Sequence, residues 1–409
     1  MSNQFSSVVN ETGALLKRFY IDGMVDQLNN DMPVMSFIEK SKAGVAGDAT
    51  YVALKLNRNQ GIGAGTDGGN MPGIGRYKTS QAVVAHKYNW LRTGLTAGII
   101  AASKNDKGAF LRQLDAVVKA GYVDLKSDLN RQLGFDGTGT LGKLSAAAVA
   151  TQSISVQGRE GTTEDGSKFI FPDMIIDIVS SAGVYKATGV TVTAVTGTTT
   201  ATVTLDTPVT AASGDLIVRT GAYNAEIQGL GYALDGGTST IYGIDRSAYP
   251  QFQGNLVNVS GGQLTIDAMQ TAWNLGLRRG GTGNGSYQGL LMDFDSSRYY
   301  GKLLQADRRY ISSGETMDNR QWKGAKSIGL SFNNVPIMVD KDLPQRIYMI
   351  PSDVLKLYVL NELEQATETG SGLIAQTDSD SFEIRMRFFA NMFNSQPSAC
   401  AALYNYISP

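Results

Sequence analysis

Apolar residues recur at helical spacing from Phe110 to Leu133, where Phe110, Leu111, Leu114, Val117, Val118, Tyr122, Leu125, Leu129 and Leu133 keep a period of about 3.6. Ser103 is a candidate N-cap and Gly134 a stop, so the pattern predicts a helix over 104–133. At about 1.5 Å per residue it is roughly 45 Å long. A shorter helical pattern covers 12–28 with Leu15, Leu16, Phe19, Tyr20, Met24, Val25 and Leu28, interrupted at Gly23. A turn cluster, Asn29 to Pro33, follows it, and 33–40 reads as extended or briefly helical. Strict alternation appears at 50–58, and 80–92 is rich in Val, Tyr and Trp, so both stretches predict strands. Seven of the fifteen residues from Gly61 to Gly75 between them are glycine: Gly61, Gly63, Gly65, Gly68, Gly69, Gly73 and Gly75. Two strands joined by such a tip predict a hairpin whose nine-residue arm reaches ~30 Å. A hairpin of that length needs a neighbour to bury it.

Beyond 170 the periodicity shortens. β-branched runs at 190–195, 200–205 and 216–218, separated by Thr196-Gly197 and Ser213-Gly214-Asp215, predict a small barrel or sandwich. Helical spacing returns over 265–277 and 296–304, and strands are expected at 288–294, 335–339, 346–350 and 383–393. The fold class read from these elements is α+β.

Composition narrows the function. Lys plus Arg number 36 against 37 Asp plus Glu, which leaves no global positive field for a dedicated nucleic-acid binder. The charged fraction of 18% is low and fits a surface largely hidden in partners. One cysteine, Cys400, excludes a disulfide framework within a chain and a cysteine-based zinc site. The segment Met1 to Phe5 has neither the basic nor the apolar run of a signal peptide, and no apolar run reaches membrane-span length, so no membrane association is expected.

Enzymatic equipment is sparse. The segment Gly61 to Gly65 has no following helix and no Gly-Lys-Ser/Thr ending, so it reads as a hairpin tip rather than a phosphate cradle. His86 is the single histidine and lies in an expected strand, where it lacks the partners of a triad. Cys400 sits among alanines as a small hydrophobe. The carboxylate groups Asp293 with Asp295, Asp340 with Asp342, and Asp378 with Asp380 and Glu383 have the spacing for acid–base or cation chemistry, yet no calcium-loop pattern surrounds them. Solvated or salt-bridged roles are expected for them, and for Arg278-Arg279 and Arg308-Arg309. Trp273, Tyr299 and Tyr300 are expected in cores. No catalytic, cofactor-binding or metal site is assigned, and the expected class is not an enzyme.

Three separated stretches carry a resemblance: Gly134-Phe135-Asp136-Gly137-Thr138-Gly139, Glu226-Ile227-Gln228-Gly229-Leu230, and Val335-Pro336-Ile337-Met338-Val339-Asp340-Lys341-Asp342. With the arm segment Leu15 to Tyr20, the helix end Asp128 to Leu133 and the run Leu304 to Arg309, their order resembles the major capsid proteins of tailed bacteriophages. That fold is shared by the herpesvirus shell floor and by encapsulins. The resemblance implies an N-terminal arm at 1–47, an extended hairpin loop at 48–95, and a peripheral domain at 96–164 and 346–409 built on the 104–133 spine helix. It further implies an axial domain at 223–345 and a last strand that returns to the peripheral domain. A β-rich, barrel-like insertion at 165–222 exceeds the minimal fold.

The implied function is self-assembly into the icosahedral shell that encloses the double-stranded DNA of a tailed phage, in the virion after assembly in the host cytoplasm. The implied partners are copies of the chain in hexameric and pentameric capsomers, a portal protein, a separate scaffolding protein, a decoration protein, and packaged DNA contacted without sequence preference. The implied assembly contacts are the seven tip glycines and the arm residues Leu15, Leu16, Phe19, Tyr20, Val25 and Leu28. Two rival classes are an encapsulin-like compartment shell and a carboxylate-dependent carbohydrate-active enzyme. A neighbouring cargo enzyme gene would favour the first, and a carboxylate-lined cleft with aromatic platforms the second.

Overall fold

The long helix runs from Lys107 to Gly134, and its apolar stripe explains what it packs against. Tyr122, Leu125, Leu129 and Leu133, spaced three and four residues apart, are all buried. They meet Ile384, Met386, Phe388, Leu357 and Val359 in one core cluster. Full burial of each such side chain contributes ~1.5–3 kcal/mol before chain entropy is charged against it. The computed structural model describes residues 33–42, 44–45, 47–56, 59, 61–96, 107–160, 164–197, 199–234, 240–280, 287–304, 327–365, 374–375 and 380–409. Among them no helix is long and apolar enough to cross a membrane.

The sheet under the helix has five strands. Ser381–Asn394 pairs antiparallel with Lys87–Thr96 on one edge and with Leu355–Gln365 and Ile374–Ala375 on the other. Glu39–Ser41 adds in parallel to Leu355–Gln365 after a short helix, Pro33–Phe37, whose Val34, Met35 and Phe37 enter the same core. The stretch 80–92, read from sequence as one hairpin strand, divides at His86. Thr79–Ala85 pairs with Ala49–Lys55 to make the hairpin, whereas Lys87–Thr96 belongs to the five-stranded sheet. Only His86 separates the two strands, so alternation alone could not mark the change of partner.

A closed six-stranded barrel follows the helix, in the order Leu216–Arg219, Thr140–Leu144, Ala148–Gln157, Thr200–Ala211, Tyr185–Thr196 and Ile175–Val179. Inward positions on alternate residues, such as Val203 and Leu205, fill its interior together with Val190, Val192, Ile176 and Ile178. The barrel therefore begins at Thr140 and not at 165. Its first two strands close the ring that the later β-branched runs leave open.

A six-stranded sheet forms the remaining layer, ordered Asn255–Asn258, Ala401–Tyr404, Arg346–Ile350, Gly289–Met292, Val335–Val339 and Ser327–Phe332. Helices Ile266–Gly280 and Phe294–Leu303 bring Met269, Ala272, Trp273, Tyr299 and Tyr300 into its core. Two strands expected in the helix-bearing domain, Arg346–Ile350 and Ala401–Tyr404, sit near the middle of this sheet instead. Every residue of Arg346–Ile350, and Ala401 to Leu403, is buried, as a strand covered on both faces requires. The chain thus crosses between the two sheets several times.

Candidate assembly surface

The three motif stretches meet at the C-terminal end of the long helix. Glu226 forms a buried ion pair with Arg131, which also reaches Asp128 at 3.1 Å. Asn130 donates to Asp340 at 2.7 Å and to Asp342 at 3.0 Å. Tyr348 donates its hydroxyl to the Gly134 carbonyl at 2.7 Å. Gly231 N–H donates to the Phe135 carbonyl at 3.1 Å, so the segment after Glu226 satisfies a carbonyl of the helix end. A Cβ on Gly229 would press on the carbonyl oxygens of Gln132, Leu133 and Phe135, the last at 2.5 Å, so the close approach demands glycine.

The turn Asp136 to Gly139 connects helix to barrel. Asp136 accepts from Thr138 N–H at 3.0 Å and from its hydroxyl at 2.7 Å, an Asx turn, while Gly137 and Gly139 take φ of +83° and +78°. Arg159 from the barrel side pairs with Asp136, and Glu160 pairs with Arg346 of the six-stranded sheet at 2.8 Å. The guanidinium groups of Arg131 and Arg159 both lie over the Phe135 ring, 5.5 and 5.0 Å from its centroid. Burial, the largest single influence, pushes the Asp136 carboxyl up, but the Arg159 charge and the hydrogen bonds from Thr138 and Arg159 together outweigh it and hold the acid below its ordinary value. Burial likewise raises Glu226 against the pull of Arg131. Helix, barrel and sheet are locked together here by charge that no solvent screens.

The hairpin leaves this body at its root. Its inner face, Leu56, Ala82 and Val84, packs with Ile241, Tyr242, Phe252, Tyr358 and Phe393, and Val83 N–H donates to the Tyr242 carbonyl at 2.9 Å. The seven tip glycines all lie beyond the paired strands, in a connection without ladder bonds. Gly61 is held by the Asn59 side chain at 2.8 Å, and a Cβ there would come within 2.7 Å of Gly75 N, so the two tip segments pass too closely for a side chain. Three apolar side chains project from the tip into solvent: Ile62 is 85% exposed, Met71 92% and Ile74 100%. The signal for them in the sequence is apolar residues without a period in a turn-rich stretch, since exposed apolar groups of this kind mark interaction sites.

A second exposed apolar group lies on the five-stranded sheet. Asn89 and Leu91 of Lys87–Thr96 face the helix, where Asn89 accepts from Gln132 at 2.9 Å. The alternate residues Tyr88 and Trp90 therefore face away, and Trp90 is 61% exposed. Their rings stack at 6.0 Å, with Phe389 edge-on to Tyr88 at 4.9 Å. Arg92 continues the face, bound to Glu383 at 2.6 Å. The arm residues Leu15, Leu16, Phe19, Tyr20, Val25 and Leu28 lie outside the described residues, as do Arg308, Arg309 and Asp378.

The remaining sequence candidates have structural occupations. Asp293 caps the helix Phe294–Leu303, accepting from Ser296 N–H at 3.2 Å, while Asp295 points outward to Arg298 at 3.0 Å. Asp340 and Asp342 share the Asn130 amide, and Glu383 is held by Arg92 and Arg385. Burial pushes the Cys400 thiol up to about 12, against an Asn394 hydrogen bond at 3.2 Å. Trp273 packs on Tyr287 with ring centroids 4.5 Å apart. Among the described residues no group of three or more His, Cys, Asp or Glu could hold a metal ion.

No family model matches the sequence. No curated protein matches it. Solved structures do. The chain superposes on a chain of the cyanophage A-1(L) capsid asymmetric unit with a TM-score of 0.53 and 12% identity, covering 92% of this chain and 93% of that one. The capsid of a native GTA particle gives a TM-score of 0.49 at 7% identity over 92% and 90% of the two chains. The capsid of Myoviridae phage XM1 gives 0.44 at 8% identity over 91% and 90%. The first likeness, over almost the full length of both chains, establishes that this chain has a phage capsid fold.

Proposed function

We propose that this chain is the major capsid protein of a tailed phage, a structural subunit that assembles with copies of itself into the head shell around double-stranded DNA. The observation that carries the reading is the pairing of a capsid fold with a hairpin whose Ile62, Met71 and Ile74 stand in water in the single subunit. An apolar tip of this kind costs solubility unless another subunit covers it. The hairpin strands Ala49–Lys55 and Thr79–Ala85 act as a strut, and the glycine-rich tip adapts to different neighbours. The face bearing Tyr88, Trp90 and Phe389 is the receiving surface, and the arm at 1–47 supplies further contacts with other subunits. Many modest contacts then sum to a stable shell through multivalency.

In this reading the five-stranded sheet and long helix form the peripheral domain and the six-stranded sheet the axial domain. The barrel is an insertion on that frame and a candidate platform for a decoration protein. A portal and a separate scaffolding protein are the expected helpers, and DNA contact is unspecific, in keeping with 36 basic against 37 acidic residues. The likeness to phage capsids gives no support to the compartment-shell reading or to the carbohydrate-enzyme reading. The test is negative-stain microscopy and size-exclusion chromatography of the purified chain, alone and co-expressed with neighbouring genes. Closed shells, tubes or capsomers are expected; a compact monomer under every condition would overturn the proposal.

A further inference from the structure

His86 sits where the hairpin joins the body. Its backbone N–H donates to the Asp48 carbonyl at 3.1 Å, closing the hairpin at the last residue before the chain enters the five-stranded sheet. The side chain is 4% exposed. Nε2 lies 3.4 Å from the Thr50 hydroxyl, a long contact, and Nδ1 is buried without a hydrogen-bond partner. A neutral imidazole tolerates this arrangement with one nitrogen unpaired. An imidazolium does not, because both nitrogens then carry donors and the charge has left water.

We infer that His86 is a proton-operated latch for the hairpin: neutral, it lets the root close against the body, and protonated, it loosens the root. The groups facing it support this. Asp48, in the turn just before the opposing strand, favours the charged form, but burial, the larger influence, holds the imidazole below its ordinary value. Lys87, next along the chain, is occupied by the Asn224 carbonyl at 2.7 Å. From the strand Ser381–Asn394 the neighbouring polar group is Asn391, uncharged and bound to the Ala85 carbonyl at 2.6 Å. From the turn that receives Val83, Tyr242 is a neutral phenol whose burial keeps it so. Since the native value lies below the unfolded one, the unfolded or undocked state binds the proton more readily. The root is therefore fully stable above the ordinary histidine value of 6.5 and loses stability as pH falls through and below it.

The inference concerns a single chain and holds whether or not the chain builds shells, so the test uses unassembled full-length subunits. Amide hydrogen exchange is measured across Ala49–Lys55 and Thr79–Ala85 at about pH 7.5 and about pH 5, within the range where histidine titrates, with intrinsic rates divided out. The helix segment 119–133 serves as the internal reference. Severalfold faster root exchange at the lower pH is expected in the wild type, and none in His86→Gln. A flat wild-type response, or the full response in His86→Gln, would overturn the latch. Because the chain has one histidine, isotope-labelled histidine also gives a single NMR titration in the unsubstituted protein; a midpoint at or above 6.5 would refute the inference independently of any variant.

Discussion

Replacing Arg131 with methionine removes the cation that is hydrogen-bonded to both Glu226 and Asp128 while keeping most of the side-chain volume over Phe135. Arg131 and Glu226 have only 4% and 5% of their side chains exposed, so water cannot enter to solvate the orphaned carboxylate without opening the helix end. Asp128 fares better, since Arg219 lies 3.5 Å away and Gln132 donates at 2.8 Å. The loss therefore falls on Glu226, whose Oε2 already lacks a partner. Breaking a buried pair from one side costs ~3–5 kcal/mol. That is a third or more of the ~5–15 kcal/mol that holds a typical domain. Urea unfolding of the unassembled subunit, followed by circular dichroism, reads it directly. The double variant Arg131→Met with Glu226→Gln removes both charges and is expected to recover part of the loss, a coupling of ~0.5–3 kcal/mol. A single Arg131→Met variant within ~0.5 kcal/mol of wild type, the range of an ordinary surface substitution, would refute the claim that buried charge ties the helix end to the Glu226 segment.

Deleting Gly61 to Gly75 should leave a folded subunit with wild-type circular dichroism that fails to close shells under the microscope; normal particles would remove the tip from assembly. Ile74→Asp and Trp90→Glu should each leave subunit stability within ~0.5 kcal/mol and shift size-exclusion profiles from assemblies to subunits, since both side chains are exposed in the single chain. Gly229→Ala should destabilise the subunit by at least ~1–3 kcal/mol because backbone carbonyls cannot move aside, whereas Gly73→Ala, with nothing within 4 Å of its Cβ, should be neutral in the same melts. Burial raises the Asp293 carboxyl above its ordinary 3.8, so its contribution is present in acid and declines as pH rises through the native value. Asp293→Asn retains the capping oxygen without the charge, so its melting temperature relative to wild type should climb as pH rises toward neutrality.

Local pattern alone specified the elements with strong periodicity. The long helix was legible because nine apolar residues from Phe110 to Leu133 share one face, and the hairpin because two alternating stretches flank Gly61 to Gly75. The order of the motif stretches pointed to a phage capsid fold. What the sequence left open was which strand pairs with which. Ala401–Tyr404 and Arg346–Ile350 are short apolar runs that satisfy either sheet, and only packing against Met269, Trp273 and Tyr299 assigns them to the six-stranded one. Thr140–Leu144 has no pattern of its own and joins the barrel because Leu216–Arg219 and Ala148–Gln157 present free edges to it. The convergence of Arg131, Asp136, Glu226, Asp340 and Arg346 on one helix end is likewise tertiary. Periodicity encodes which face of an element is buried, since that depends on the next few residues; strand partners and charge pairs over a hundred or two hundred residues apart depend on the closure of the whole chain.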